Sequence, residues 1–222
     1  PIIGMYVHLP FCIQKCHYCD FVITTAGGEA ARRHFIDAFE KEATHLAPRF
    51  SRRAFETLYF GGGTPSVLNE NEITRVVEIL RRNFKFKKNA EVTLEANPGD
   101  VSPSMARVYQ TLGINRVSLG AQSFNNATLK KINRRHDAKA IVESYRSLAD
   151  AGFKNINLDL ILSLPGETPQ DVRRSLEKLF KLRPQHVSIY ELTVEEKTVF
   201  GHQRRKGTLE LPPEESQLEM LL

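Results

Sequence analysis

Three cysteines lie within eight residues near the start of this 222-residue chain, and they are its only cysteines. Cys12, Cys16 and Cys19 follow the spacing C-x3-C-x2-C, which places three thiolates close together without a fourth. A four-iron cluster held by three thiolates keeps one iron with open coordination positions. A small molecule can bind to that iron and receive an electron from the cluster. The spacing therefore predicts an iron–sulfur centre that does redox chemistry on a bound cofactor.

The same cysteines allow two other interpretations, which their context disfavours. Disulfide pairing would leave one cysteine over, and the strand-like run Ile2–His8 is not a secretory leader. Zinc could take His17 as a fourth ligand, but structural zinc sites usually join two separated ligand pairs, and His17 lies directly beside Cys16. Because thiolate ligands need a reducing compartment, we expect the protein in the cytoplasm.

Length and charge bound the class of protein. The length fits one large α/β domain, and no apolar stretch approaches the length of a membrane span. The net charge is +5, and the basic runs Lys85–Lys88 and Arg204–Lys206 are interpreted as solvated surface. A basic face can also attract an acidic tetrapyrrole or nucleic acid. Since no aromatic-studded RNA-binding motif is present, nucleic acid is not an expected partner.

Strand-like runs alternate with amphipathic stretches and predict six βα units. The strand candidates are Ile3–His8, Thr57–Phe60, Val92–Ala96, Arg116–Gly120, Ile156–Leu162 and His186–Leu192. Ser102-Pro103 and Thr168-Pro169 are typical of helix starts, and Gly113 and Gly152 of helix ends. Repeated βα units favour a parallel sheet. Periodicity leaves two architectures open, an incomplete version of the eight-fold barrel and an open doubly wound sheet.

The residues from Gly201 onward have a different pattern. They contain a basic turn, Pro212-Pro213 and the start of a helix over Glu214–Leu222, which ends on apolar residues without a cap. We therefore expect residues 1–200 to form the barrel domain. Residues 201–222 are expected to begin a C-terminal region that is missing from this chain.

Polar groups mark the carboxyl end of every predicted strand. In chain order they are the cysteine run, Gly61–Pro65, Glu95, Gln122, Asp159 and Tyr190–Thr193. Because the carboxyl ends of parallel strands meet at one rim, we expect these groups to form one binding site. A glycine run can be a tight turn only, but bare backbone directly after a strand also lets a ligand approach closely.

Two carboxylates at this rim need partners. Glu95 ends a strand in an apolar run, so ribose hydroxyls or an amine explain it better than a surface lysine. Asp159 lies among apolar residues, and a buried unpaired carboxylate is costly. Its partner is either structural, for instance Arg134, or a ligand. Arg135 and His136, which follow Arg134, are expected to face solvent.

Taken together, these residues resemble the oxygen-independent coproporphyrinogen III oxidase family of radical S-adenosylmethionine (SAM) proteins. The similarity runs from the segment Tyr6–Cys12 to about Thr193 and includes Asn133-Arg134 and Asp159–Pro165. It implies an α/β fold, a partial (β/α)6 TIM-like barrel, and so selects the curled sheet over the doubly wound one. It also implies a [4Fe-4S] cluster on the three cysteines.

The resemblance implies cofactor contacts as well. Cluster-bound SAM would contact Tyr6, Gly62 and Glu95. The true oxidases hold a second SAM nearby, and the corresponding positions in this chain are Tyr18, Gly63, Thr64, Gln122, Arg134, Asp159 and Thr193. The Tyr18 ring, inside the cysteine run, can shield the cluster or stack on adenine.

Two departures point to one branch of the family. The true oxidases have a further cysteine two residues past the third ligand, where this chain has Phe21, and a long N-terminal arm, whereas this chain starts eleven residues before Cys12. Both features resemble the haem-chaperone (HemW-like) branch. That resemblance implies binding of haem and its delivery to a haem-accepting protein, with a flavodoxin- or ferredoxin-like electron donor.

Two other functions stay open. The first is an oxygen-independent coproporphyrinogen III oxidase, an enzyme that decarboxylates coproporphyrinogen III to protoporphyrinogen IX through a 5′-deoxyadenosyl radical. The second is a different radical SAM enzyme, acting on RNA. Phe21 and the short N-terminus favour the chaperone over the oxidase.

Overall fold

The computed structural model describes residues 2–26 and 28–222. Six strands form one sheet, and every neighbouring pair is parallel. The strands are β1 Gly4–Leu9, β2 Ala54–Gly62, β3 Lys85–Ala96, β4 Arg116–Gln122, β5 Ile156–Leu162 and β6 His186–Glu191. Their order across the sheet follows the chain, from β1 to β6.

This sequential order decides between the two architectures. A doubly wound sheet reverses its strand order in the middle, which this sheet does not do. Because parallel crossovers are right-handed, five steps in one direction place the connecting helices on one face and curl the sheet. β1 and β6 are its two edges, so the barrel is open on one side. The predicted partial six-unit barrel is confirmed.

Eight helices of the described residues complete the fold. They are α1 Gly28–Phe50, α2 Glu70–Asn83, α3 Pro103–Thr111, α4 Asn126–Lys131, α5 Ala138–Asp150, α6 Pro169–Leu182, α7 Val199–Arg205 and α8 Glu214–Leu221. The predicted caps are confirmed: the Ser102 hydroxyl accepts the Met105 N–H at 3.1 Å, and Thr168 forms a capping box with Asp171. None of these helices is long and apolar enough to cross a membrane.

The sheet has two faces of opposite character. Alternate strand residues pack against the helices and form the apolar core, among them Val7, Phe60, Leu94, Leu119 and Leu158. The residues between them line the concave face, and nearly all are polar: Tyr59, Glu95, Arg116, Ser118, Gln122, Asn157, Asp159, His186, Ser188 and Tyr190. In closed barrels the interior is filled by branched apolar side chains. Here the interior is a cavity into which many polar side chains of the strands project.

Two stretches differ from the sequence-based expectation. β3 begins at Lys85, so the basic run Lys85–Lys88 is part of a strand; the ring of Phe86, within that run, packs 5.8 Å from that of Phe55 and extends the sheet. The basic turn after Gly201 is instead the end of α7, whose first turn is capped by the Thr198 hydroxyl. The predicted helix from Glu214 is present as α8. The domain boundary at residue 200 stays a prediction.

Candidate cluster and cofactor site

A cavity of about 590 Å³ lies on the concave face of the sheet. All three cysteines line it, as do eight of the ten residues predicted to bind cofactor: Tyr18, Gly63, Thr64, Glu95, Gln122, Arg134, Asp159 and Thr193. A cavity of this size suits a ligand as large as a cofactor. The structure therefore brings together groups that lie up to 181 residues apart in the sequence, from Cys12 to Thr193.

The other two predicted residues, Tyr6 and Gly62, border the cavity without lining it. Tyr6 is 57% exposed, stacks on Tyr59 with ring centroids 6.1 Å apart, and donates its hydroxyl to Nδ1 of His8 at 3.2 Å. Nε2 of His8 donates to the carbonyl of Val22 at 2.8 Å. Gly62 donates its N–H to Glu95. Tyr6 thus contacts Tyr59 and Gly62 contacts Glu95, and both of these partners line the cavity.

The cysteine loop, residues 10–26, carries three free, half-buried thiols. Sγ of Cys12 lies 3.3 Å from Oγ1 of Thr64, and Sγ of Cys16 accepts Nη1 of Arg134 at 3.4 Å. Burial raises the pKa of Cys12 and of Cys19, and each neighbouring thiolate raises it further, whereas the Arg134 charge opposes the rise. A buried guanidinium therefore lies where thiolate charge would accumulate.

The glycine run after β2 fixes one side of the cysteine loop. Gly63 donates its N–H to the carbonyl of Leu9, and Thr64 to that of Phe11, both at 2.8 Å. A Cβ on Gly63 would lie 2.7 Å from the Phe11 carbonyl oxygen, so only glycine permits this approach. This segment therefore forms a tight turn, and its residues Gly63 and Thr64 also line the cavity.

The segment after α4 fixes the other side of the loop. Asn133 adopts φ 62° and donates its side-chain amide to the carbonyl of Lys15 at 2.8 Å. The Gln14 amide donates to the carbonyl of Asn133 at 3.1 Å, and the His17 N–H to that of Ile132 at 3.2 Å. This segment therefore holds the cysteine loop and places Arg134 against it.

The thiol arrangement fits a cluster better than a single ion. Within residues 2–26 and 28–222, no three His, Cys, Asp or Glu side chains are close enough to share one metal ion. One tetrahedral zinc would need its thiolates about 3.8 Å apart, given Zn–S bonds of about 2.3 Å. His17 uses Nδ1 to bind the Lys131 carbonyl at 2.9 Å. A [4Fe-4S] cluster spreads its thiolates over different irons, which suits wider spacing.

The two predicted carboxylates of the cavity, Glu95 and Asp159, take their hydrogen bonds from neutral groups. Oε1 of Glu95 accepts the Tyr59 hydroxyl at 2.8 Å. Asp159 accepts the Ser118 hydroxyl at 3.0 Å and the Asn157 amide at 2.6 Å. Burial raises the pKa of both carboxyls, and these hydrogen bonds oppose the rise. The structure does not give Asp159 the cation that the sequence suggested as one possible partner.

Arg134 has other contacts. Its Nη2 donates to the Gly120 carbonyl at 2.6 Å, and its Nη1 to Cys16, while the buried Nε has no partner in the described chain. A Cβ on Gly120 would lie 3.1 Å from Nη2, so Gly120 provides the space for the guanidinium. Gln122, close by, adopts φ 65°, a strained conformation of the kind that accumulates at binding sites.

His136 corrects an expectation. It was predicted to face solvent with Arg135, but it is only 6% exposed, and its Nε2 donates to the Ala121 carbonyl at 3.2 Å. Burial lowers the pKa of His136 to about 3, and the Arg134 charge adds to the effect. Arg135 is ion-paired with Asp100. The sequence shows that His136 is polar, but it does not show how deeply the fold buries this residue.

Sequence reasoning missed the cavity residues at the starts and in the middle of the strands. Six further polar residues line the cavity: Tyr59, Arg116, Ser118, Asn157, His186 and Ser188. The signal was present, because in each strand polar residues recur every second position, and period 2 places them on one face. The prediction from the strand ends does not include these positions.

Three comparisons agree with this geometry. Residues 6–179 match the family model of the Radical SAM superfamily. The haem chaperone HemW of Lactococcus lactis is 40% identical over 97% of this chain and 55% of its own length. The oxygen-independent coproporphyrinogen III oxidase of Escherichia coli is 32% identical over 99% of this chain and 48% of its own length.

The solved structure of the Escherichia coli coproporphyrinogen III oxidase HemN has the same architecture, with a TM-score of 0.91 and 31% identity. The match covers 99% of this chain and 50% of that one. The chain thus spans about half the length of the relatives it matches. The family implies a [4Fe-4S] cluster and SAM, which the thiol loop and the cavity above suit. Because the family model covers well over half of its residues, this chain belongs to the radical SAM superfamily.

Proposed function

We propose that this chain is the radical SAM portion of a haem chaperone, which binds haem and delivers it to haem proteins. The observation that carries the proposal is the 40% identity to the Lactococcus lactis HemW, against 32% to the Escherichia coli oxidase. Phe21 supports it: the side chain is 70% exposed and lines the cavity where the oxidases have a further cysteine. Because a thiolate centre needs a reducing compartment, the cysteine loop also supports a location in the cytoplasm.

Different residues of the site would bind the cluster and SAM. Cys12, Cys16 and Cys19 would hold the [4Fe-4S] cluster, and Tyr6, Gly62 and Glu95 would contact the SAM bound to it. When bound, the cluster supplies one electron to SAM and so generates an organic radical. The protein's share is orientation, tuning of the cluster and exclusion of water.

Each of these tasks follows from a contact in the structure. Arg134 donates an N–H to Cys16 and brings a fixed positive charge, which stabilises thiolate ligands. Tyr59 holds the Glu95 carboxylate, leaving its other lone pairs for ribose hydroxyls or an amine. Half-buried Tyr18 and exposed Phe21 cover the cavity beside the cysteines and limit the access of water.

A second candidate function is the coproporphyrinogen oxidase reaction. It is favoured by the TM-score of 0.91 to HemN and by the seven second-SAM positions, all of which line the cavity. In that case a substrate propionate would give a hydrogen atom to the organic radical, and loss of carbon dioxide with transfer of one electron to an acceptor would leave a vinyl group. Both candidates need an electron donor of the flavodoxin or ferredoxin type, and the chaperone also needs a haem-accepting protein.

One side-by-side assay separates the two candidates. Full-length protein is reconstituted anaerobically with iron and sulfide, and coproporphyrinogen decarboxylation is measured beside haem binding and haem transfer to an apo-haemoprotein. Stoichiometric haem capture with transfer and no decarboxylation is the expected result. Catalytic release of carbon dioxide from coproporphyrinogen would contradict the chaperone proposal.

The cluster assignment has its own test. We expect Cys16→Ala to abolish the brown absorbance and the bound iron of reconstituted protein, because it removes one of three ligands. Asp20→Ala, an exposed change in the same loop, is the matched control and should keep both. Full colour and iron in the Cys16→Ala protein would show that the ligand set is wrong.

A further inference from the structure

Two basic side chains meet at the end of the cavity opposite the cysteine loop. Arg116 is the first residue of β4 and His186 the first of β6, and both line the cavity. Nη2 of Arg116 lies 3.1 Å from Nδ1 of His186. Because β5 runs between the two strands, the Arg116 and His186 side chains together bridge two strand spacings, about 10 Å, along the lower end of the cavity. We call this pair the cavity floor.

The charge of Arg116 acts on Asp159 across the cavity without a direct ion pair. Among the ion pairs of the described residues, none includes Arg116. Of the three carboxylates that line the cavity, Glu95 and Asp159 are satisfied by hydroxyl and amide donors, and Glu191 lies at the opposite, carboxyl end of β6. Burial raises the pKa of Asp159, and the charge of Arg116 is among the effects that oppose it. The guanidinium therefore acts across the cavity and has no carboxylate partner of its own.

The hydrogen bond fixes which donors the floor presents. A guanidinium is always charged and only donates, so Nδ1 of His186 must accept. Neutral His186 then carries its proton on Nε2 and offers an N–H. Arg116 keeps further N–H groups in the planar fork that matches a carboxylate. Ser118 and Ser188 donate to Asp159 and Asn157 instead. The floor is thus a set of donors around one guanidinium that forms no ion pair among the described residues.

We propose that Arg116 and His186 form a carboxylate-binding site at the floor of the cavity. The site is distinct from the cysteine loop and from the predicted SAM contacts at the strand ends. The carboxylate has two candidate sources, both of which rest on the proposed function: a propionate of the tetrapyrrole, or the amino-acid carboxylate of a SAM molecule that the cluster does not hold. A barrel open between β1 and β6 gives either ligand a way in.

The test compares matched ligands with and without the carboxylate. Reconstituted wild-type protein, Arg116→Gln, Arg116→Lys and the exposed-surface control Arg107→Gln are titrated with mesohaem and its dimethyl ester, and with SAM and decarboxylated SAM. Arg116→Gln should weaken the acid member of one pair by about tenfold or more and leave the other member unchanged. Arg116→Lys should retain part of the affinity, and Arg107→Gln all of it. The pair that responds identifies the source.

A minimal probe separates this proposal from the proposed function. Sodium propionate should shift the His186 ring resonances in the wild type and not in Arg116→Gln. If no variant binds haem, the chaperone proposal fails while the propionate and SAM measurements still decide on the floor. Equal losses for acid and ester, and for SAM and its decarboxylated form, together with no propionate shift, would overturn the carboxylate site.

Discussion

Arg134 is the residue on which the cysteine loop and the sheet converge. One arm of its guanidinium donates to Cys16 in the loop, and the other to the Gly120 carbonyl on β4. A buried cation is costly on its own, so its place beside three thiols has a physical reason only if those thiols carry negative charge. The contact thus connects the fold to the chemistry of the loop.

Replacing Arg134 should change the cluster more than the fold. In Arg134→Gln we expect iron affinity to fall about 10- to 100-fold, the usual effect of losing an outer-shell partner. The reduction potential should also become more negative, because reduction adds charge that the guanidinium no longer stabilises. Iron per protein and redox titration measure both, with exposed Arg146→Gln as control. Wild-type iron content and potential would contradict this role.

Glu167 is a buried carboxyl outside the site that makes stability depend on pH. It is 4% exposed, and burial raises its pKa to about 7, although the Leu164 N–H and the Ser123 hydroxyl oppose the rise. Between about pH 4.5 and 7 the folded protein keeps this proton and the unfolded chain does not. The stabilisation is therefore complete below that range and is lost as the pH rises through 7.

Glu167→Gln should remove this dependence. Gln stays neutral, so the unfolding free energy of the variant relative to wild type should rise by about 1–3 kcal/mol from pH 4.5 to pH 8. Denaturant unfolding at several pH values measures the difference, and His136 contributes equally to both proteins. Exposed Glu177→Gln on α6 is the control and should show no such trend. A pH-independent difference for Glu167→Gln would refute the assignment.

At the scale of elements, the cysteine loop is held between two neighbouring segments. The β2 glycine run binds Leu9, directly before the loop, and the following Thr64 binds Phe11 in its first half. The segment after α4 binds its second half through Lys15 and His17. The loop has little regular structure of its own, so its shape depends on these contacts. Substitutions in either segment should therefore weaken cluster binding, although both segments lie far from the cysteines in the sequence.

Gly63→Ala tests this dependence. Its Cβ would meet backbone atoms of the loop at 2.7 Å, which no side-chain movement relieves. We expect a large loss of iron with the far-ultraviolet circular dichroism spectrum retained. In Gly207→Ala the new Cβ meets open space, although φ is +67°, so it costs about 1–2 kcal/mol of backbone strain without touching the loop. The idea fails if both variants bind iron equally.

Element types were predictable where the signal is local. Ser102-Pro103 and Thr168-Pro169 begin α3 and α6 as expected, because capping depends on neighbouring residues. The extension of β3 back to Lys85 was not, since it depends on Phe86 packing against Phe55 from another strand. Strand ends were informative because parallel topology alone gathers them at one rim.

At the scale of the whole molecule, stability and ligand binding belong to opposite faces of one sheet. The helix-facing residues are apolar and fully buried, whereas the concave residues are polar and line the cavity. Sequence alternation showed that each strand had a polar face. It did not show that those faces point at one another, because that depends on the curvature of the sheet. The Arg116–His186 contact, across 70 residues, was for this reason beyond sequence reasoning.

Neighbouring residues on the two faces should therefore respond differently to truncation. Leu158→Ala, at a fully buried position facing the helices, should cost about 2–5 kcal/mol of unfolding free energy. Ser188→Ala on the concave face loses one hydrogen bond to Asn157 and should cost about 1 kcal/mol or less. Urea unfolding of both variants makes the comparison. Similar costs would show that the concave face contributes to the core.

The sequential strand order has a consequence for how the protein is made. Each strand pairs only with its neighbours along the chain, so the sheet can assemble progressively during synthesis. The cysteine loop cannot reach its final shape as it is synthesised, because it hydrogen-bonds to Asn133 and to the N–H of Phe200. Both groups are synthesised more than 100 residues after the loop. The three thiols therefore reach their final arrangement only after most of the barrel has been synthesised. We expect iron to bind late in the maturation of the protein.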